Sequence, residues 1–220
     1  MRYYPVFLDL AGKPVVVIGG GRIAHQKMEN LLKAGADVTV ISPKLNAEMQ
    51  ALKDAGKFRH IERTYQRGDL EGAFLVFAAA NDREVNAAVS AEGKERGVWV
   101  NAVDDPPYCD FIMPAIVQRG DLIIAVSTSG TSPAMARKMR EELEAFLTEE
   151  YAAMLELAAQ VRAELREEGI LADPDTWNAA LDDELKRLLG EGRREEARAR
   201  LTGALRAAVE ARAGGAGGHA

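Results

Sequence analysis

Apolar residues fall along this chain in two different rhythms. Up to about residue 112, short unbroken apolar runs alternate with segments whose apolar positions recur every three or four residues. Val15 to Ile18 is the first run. Arg22 to Ala34 follows, with Ile23, Met28, Leu31 and Leu32 spaced as one helix face, and Gly35 supplies its stop. Asp37 to Ile41 reads as a second strand, Leu45 to Gly56 as a second helix, and Phe58 to Glu62 as a short third strand. Phe74 to Ala80 is apolar on both faces, as a central parallel strand requires. Asn81-Asp82 caps a helix reaching Lys94, and Gly97 to Asn101 is a fifth strand. Strand-helix alternation of this kind predicts an α/β, doubly wound parallel sheet over residues 1–112.

The second rhythm starts after residue 112. Leu122 to Ser127 is a strand that leads through a hydroxyl-rich stretch into a helix from Ala134 to about Leu147. Ser132 suits its N-cap and Pro133 its first turn. Residues 113–147 therefore read as a small α+β segment. From Glu149 the chain is rich in Ala, Leu, Glu and Arg, with no strand candidate. The pattern predicts helices over 148–212, broken at Gly169 and near Gly190, with Pro174 opening one of them after Asp173. Residues 213–220 are a Gly/Ala tail expected to be disordered.

The junction of the first strand and first helix is the most informative place in the chain. Val15 to Ala24 reads Val-Val-Val-Ile-Gly-Gly-Gly-Arg-Ile-Ala. A β-branched run that flows through glycines into a helix can deliver a dinucleotide pyrophosphate onto a helix N-terminus. Gly19 allows the tight turn, Gly21 lets backbone approach phosphate without a Cβ in the way, and Ala24 stands where a third small residue permits close helix-strand packing. The fold is thus Rossmann-like, and the cofactor class is NAD or NADP.

Composition narrows the partners. The chain has 220 residues and a formal net charge of −6, which argues against a nucleic-acid partner. No apolar run is long enough to span a bilayer, and the opening Met1-Arg2-Tyr3-Tyr4-Pro5 does not resemble a signal peptide. With one cysteine, Cys109, no disulfide framework exists, so a reducing, cytoplasmic setting is expected.

Candidate chemistry gathers at the carboxyl ends of the predicted strands. After the second strand stand Ser42-Pro43-Lys44, where NAD sites commonly carry an acid. Ser42 can hydrogen-bond a ribose, and Lys44 can tolerate a 2′-phosphate. Ala79, among the small residues ending the fourth strand, leaves room for a flat ring. Asp104 and Asp105 follow the fifth strand, and Asp104 is the candidate general base. Between Phe111 and Arg140, Arg119, Arg137, Lys138 and Arg140 face a single acid, Asp121. That local excess, with Thr128, Ser129, Thr131 and Ser132 before a helix N-terminus, points to an anionic ligand. Cys109 reads as a half-buried thiol rather than a nucleophile, and no metal-ligand constellation involves His25, His60 or His219.

These residues resemble the precorrin-2 dehydrogenases of siroheme synthesis, including the amino-terminal half of siroheme synthase. The resemblance is carried by Tyr4-Pro5-Val6-Phe7-Leu8-Asp9-Leu10, Gly19 to Ala24, Ala78-Ala79-Ala80-Asn81-Asp82, Asn101-Ala102-Val103-Asp104-Asp105, Phe111 to Ala115 and Ser127 to Pro133. It implies NAD-dependent oxidation of precorrin-2 to sirohydrochlorin, and some members also insert ferrous iron. It implies cofactor contacts at Arg22, Ile23, Pro43 and Lys44, and NAD rather than NADP. Asp104 falls on the family's essential aspartate, and Thr128 on a serine found in some members. It further implies a homodimer interlocked through residues 113–147. From the residues alone, two alternatives stay open: a nucleotide-sensing module of an ion-transport system, which would usually keep an acid where Ser42-Pro43 stands, and a chelatase only, which the intact glycine turn disfavours.

Overall fold

A computed structural model describes residues 2–103 and 106–215. The chain forms two compact units, residues 1–113 and 114–220. In the first, strands β1 (Pro14–Ile18), β2 (Asp37–Ile41), β3 (Arg59–Ile61), β4 (Leu75–Ala78) and β5 (Trp99–Ala102) make one all-parallel sheet in the order β3-β2-β1-β4-β5. The helices are α1 (Arg22–Lys33), α2 (Ala47–Asp54) and α3 (Arg83–Arg96). The chain moves outward from β1 to β3, then returns to place β4 on the other side of β1. This reversal puts the ligand crevice at the carboxyl ends of β1 and β4.

The apolar run of β1 is unbroken because both of its faces are covered. Val15 and Val17 pack with Met28, Leu31 and Met49, whereas Val16 and Ile18 pack with Leu70, Val76 and Val89. Each such burial is worth about 1.5–3 kcal/mol, so one polar residue in β1 would cost much of a domain's net stability. Helix α3 approaches β5 closely at Gly93, where a Cβ would lie 2.3 Å from Val100 Cγ2. The connection from β3 to β4 is clamped onto α3 by Glu92, whose side chain is buried. Its carboxylate accepts from Tyr65 Oη at 2.5 Å, from the Gly68 N–H at 3.0 Å and from Arg96 Nε at 2.6 Å. Burial pushes this carboxyl up, but those donors outweigh it and hold Glu92 below the usual carboxylate range.

The second unit opens with an antiparallel pair, β6 (Ala115–Arg119) and β7 (Leu122–Val126). Helices α4 (Pro133–Phe146), α5 (Glu149–Glu167), α6 (Pro174–Ala180), α7 (Asp183–Gly190) and α8 (Arg194–Gly215) follow. Leu157, Val161 and Leu165 of α5 meet Ala197, Leu201 and Leu205 of α8 around Leu185 and Leu188. Both triplets have the four-residue spacing that aligns side chains on one helix face. Ion pairs Arg194–Glu156, Arg198–Glu164 and Arg206–Glu168 tie α8 to α5. Exposed pairs contribute about 0–1 kcal/mol each, so the apolar seam holds this unit together.

Several elements differ from the sequence reading. Ala115–Arg119 is a strand, paired to β7 across Gly120 at φ +55°. The second helix begins at Ala47, because Asn46 caps it by accepting from the Met49 N–H at 2.9 Å. The helical region breaks once more at Asp182, whose carboxylate caps α7 at the Leu185 N–H. Helix α8 continues to Gly215, into the stretch expected as a tail, because the alanines before it favour helix propagation. Residues 216–220 lie outside the described residues. Among the described residues, no helix is long and apolar enough to cross a membrane.

Candidate functional site

Three consecutive glycines join β1 to α1, and each is required for a different reason. Gly19 has φ +123°, and a Cβ on it would lie 2.5 Å from the Ala79 carbonyl oxygen. A Cβ on Gly20 would lie 2.2 Å from the Lys44 carbonyl oxygen, and Gly20 O accepts from the Asn46 N–H at 2.8 Å. Gly20 thus locks the turn to the segment after β2, a role the motif reading did not assign. At Gly21 a Cβ would meet nothing within 4 Å. Its missing side chain leaves open space in front of the helix.

That helix start is unusual within the chain. Gly21 is the N-cap of α1, so no side chain caps the first-turn N–H groups, and no acid stands in the first turn. By contrast Asn46, Asp82, Ser132, Asp173 and Asp182 cap their helices with side chains. Helix α5 also lacks a side-chain cap, but Glu149 and Glu150 complement its dipole. Helix α1 instead presents bare donors, a partial positive charge and the exposed Arg22, a combination suited to a pyrophosphate. Ile23 lies half-buried beside them, and Ala24 is buried against the sheet.

The segment after β2 forms the adjoining wall. Ser42 is 5% exposed, and its hydroxyl donates to the Lys44 carbonyl at 2.7 Å. The Ser42 carbonyl accepts from His60 Nε2 at 2.9 Å. Ser42 therefore braces the loop, and its hydroxyl hydrogen is already committed. Pro43 and Lys44 are exposed next to it. The residues present fit a dinucleotide here: backbone donors for the diphosphate, an open Gly21, and no acid in the first turn of α1 to repel it.

On the other side of β1 lies a cleft of about 470 Å³ lined by Ile23, Ala79, Ala80, Asn81, Arg83, Asn86 and Val103. The Ala79 N–H donates to Ile18 O at 2.8 Å and the Val103 N–H to Ala78 O at 3.0 Å, which ties this rim to the ends of β1 and β4. Ala79 and Ala80 keep the cleft open by being small. Asn86 is 7% exposed, and its Nδ2 donates to the Ala80 carbonyl at 3.0 Å. Its Oδ1 is buried without a hydrogen-bond partner among the described residues. Asn86 escaped the sequence reading because the buried stripe of α3 is largely polar, with Asn86, Ser90 and Glu92 beside Val89 and Gly93. The apolar periodicity that exposes a core face is weak there.

Other candidates lie in the second unit. The carbonyl of Thr128 accepts from the Thr131 N–H at 3.0 Å across Ser129 and Gly130, which have φ +53° and +82°. The Thr128 hydroxyl accepts from the Ser132 N–H at 3.2 Å and donates to its carbonyl at 3.1 Å. Ser132 Oγ accepts from the Met135 N–H at 3.2 Å. Thr128 and Ser132 thus shape the loop, while Ser129, Thr131 and Arg137 are exposed. The basic excess of this region is smaller than the local count implied. Arg119 meets Glu149 at 3.0 Å, Lys138 meets Glu142 at 3.8 Å, and Arg140 meets Glu144 at 2.5 Å. Those acids all follow residue 140, outside the basic stretch itself. Among the described residues, Arg137 is the one of the four cations without an ion pair.

Cys109 is half-buried, and its Sγ donates to Ala102 O at 2.9 Å. Asp104 and Asp105, which carry the acid-base expectation, lie outside the described residues, as does His219.

Comparison with known proteins agrees with this arrangement. A family model described as putative NAD(P)-binding matches residues 6–115, and one described as sirohaem biosynthesis protein central matches residues 119–145. The siroheme synthase of Nitrosococcus oceani is 37% identical over 212 residues, 96% of this chain and 44% of that protein. That of Photobacterium profundum is 38% identical over 203 residues, 91% and 43% of the two chains. The chain therefore spans less than half the length of these curated relatives. A solved structure titled SirC, precorrin-2 dehydrogenase, superposes with a TM-score of 0.75 at 28% identity, covering 90% of this chain and 98% of that one.

Proposed function

The chain belongs to the siroheme synthase and precorrin-2 dehydrogenase family, and from that premise we propose that it oxidises precorrin-2 to sirohydrochlorin with NAD. The observation that carries this reading is the bare, acid-free N-terminus of α1, opening at Gly21 on the switch point of the sheet. Gly19 to Ile23 would hold the diphosphate, and Pro43 and Lys44 the adenosine ribose. Bound NAD supplies the hydride acceptor. The proton that leaves along with the hydride needs a base, and Asp104, two residues past the end of β5 in the sequence, is the residue assigned to take it.

The substrate is a macrocycle rich in carboxylates. Exposed Ser129, Thr131 and Arg137, next to the N-terminus of α4, offer donors for such groups, while Thr128 and Ser132 hold the loop. A homodimer is supported by α4, which buries none of its residues, and by the β6–β7 pair, whose Ile123 is 39% exposed. The one cysteine fits a reducing cytoplasm.

The test is an anaerobic incubation of the folded protein with precorrin-2 and NAD. NADH and sirohydrochlorin should appear together in equal amounts. Asp104→Ala should abolish turnover and leave NAD affinity unchanged within about twofold, because the base takes no part in holding the dinucleotide. Wild-type turnover in that variant removes Asp104 from the mechanism. Failure of the native protein to form NADH removes the assignment. A separate incubation of sirohydrochlorin with ferrous iron decides whether metal insertion accompanies dehydrogenation.

A further inference from the structure

Asn86 carries a hydrogen-bonding demand that the described residues do not meet. It is the fourth residue of α3, 7% exposed, and it lines the cleft at the ends of β4 and β5. Donation from Nδ2 to the Ala80 carbonyl at 3.0 Å fixes which way the amide is turned. Oδ1, the other end of that amide, is left buried with no donor. Buried acceptors in folded proteins are nearly always satisfied, and an orphan at a cleft points to a donor brought by the occupant. Of the other side chains lining the cleft, Ile23, Ala79, Ala80 and Val103 have no donor to give, and those of Asn81 and Arg83 make no hydrogen bond to Oδ1.

The order of the sheet says which part of a dinucleotide lies there. The diphosphate belongs at Gly19–Gly21 and the adenosine ribose at the end of β2, on one side of β1. The nicotinamide nucleoside then falls on the other side, over β4 and β5, where the cleft is. Resting on the NAD reading above, we propose that Asn86 Oδ1 accepts a hydrogen bond from the carboxamide NH2 of the nicotinamide. This bond orients the ring within the cleft, and the Ala80 carbonyl keeps the acceptor aimed. The ribose hydroxyls are the competing donors, and the test separates the two.

The experiment measures binding by calorimetry, not turnover. NAD is compared with its 3-acetylpyridine analogue, in which a methyl replaces the carboxamide NH2. The native protein should bind NAD about tenfold more tightly, the worth of one net hydrogen bond. Asn86→Leu should weaken NAD about tenfold and the analogue little, so that the two become equal. An equal loss for both ligands in Asn86→Leu overturns the proposal, since it indicates a structural role or a ribose contact. Equal affinities in the native protein overturn it as well, and that arm stands even if the variant fails to fold. If the folded native protein binds neither dinucleotide, the cofactor reading falls and takes this assignment with it. Binding of both with equal strength sinks only Asn86.

Discussion

Gly19 and Ala79 touch so closely that a Cβ on the glycine would sit 2.5 Å from the alanine's carbonyl oxygen. The first turn of the site is therefore built against the end of β4. Gly19→Ala combines that clash with a φ of +123°, which L side chains rarely adopt. It should lower stability by about 2–4 kcal/mol in denaturant titrations. Gly21→Ala meets nothing within 4 Å. It should unfold like the native protein and yet lose about tenfold or more in NAD affinity, because its methyl stands where the diphosphate must come. Parallel losses of stability in both variants would contradict this division of roles.

Glu92 should make the first unit sensitive to acid. Its carboxyl is held below the ordinary value of 4.5 despite burial, by Tyr65, Gly68 and Arg96. A group lowered on folding contributes stability above its unfolded pKa and loses it as the pH falls through the folded one. The contribution is thus present at neutral pH, begins to fall near the ordinary value of 4.5 and is lost as the pH drops further, through the lowered folded value. Glu92→Gln should cost about 1–3 kcal/mol at pH 7 and flatten the acid limb of the stability curve. Urea titrations at a series of pH values check both effects.

Association should depend on α4 and β7. Met135 is 51% exposed and Ile123 39% exposed, on elements that bury little within their own unit. Met135→Glu with Ile123→Lys should shift sedimentation from dimer toward monomer while the circular dichroism spectrum stays unchanged. A native protein that sediments as a monomer at all concentrations would refute the dimer.

Within the helical unit, apolar packing should outweigh charge. Leu201 is fully buried between α5 and α8, so Leu201→Ala should cost about 2–5 kcal/mol. Arg198→Ala removes an exposed ion pair to Glu164 and should cost under about 1 kcal/mol. Thermal unfolding monitored by helical dichroism distinguishes the two.

The legible parts of the chain were those with local causes. The both-sided burial of β1 shows as an unbroken Val-Val-Val-Ile run, and the turn to α1 as glycines with no Cβ to obstruct it. Ser132 and Asp173 cap their helices through N–H groups three residues away, so such signals survive in one dimension. Strand β6 was missed although a Gly120-Asp121 turn marked its end, because Ala-Ile-Val-Gln-Arg has little alternation of its own.

The sequence by itself determined the order of strands and helices in the first unit, the glycine turn, and hence the class of cofactor, since each depends on the conformational limits of neighbouring residues. Tertiary structure alone decided which charges are cancelled and which polar atoms go unmet. Arg119 is balanced by Glu149, Ser42 is turned inward onto Lys44, Gly20 is pressed against that same carbonyl, and Asn86 is left with a bare oxygen. Those outcomes depend on distances between segments, which only the packed chain sets, because burial and partnership are properties of neighbours in space.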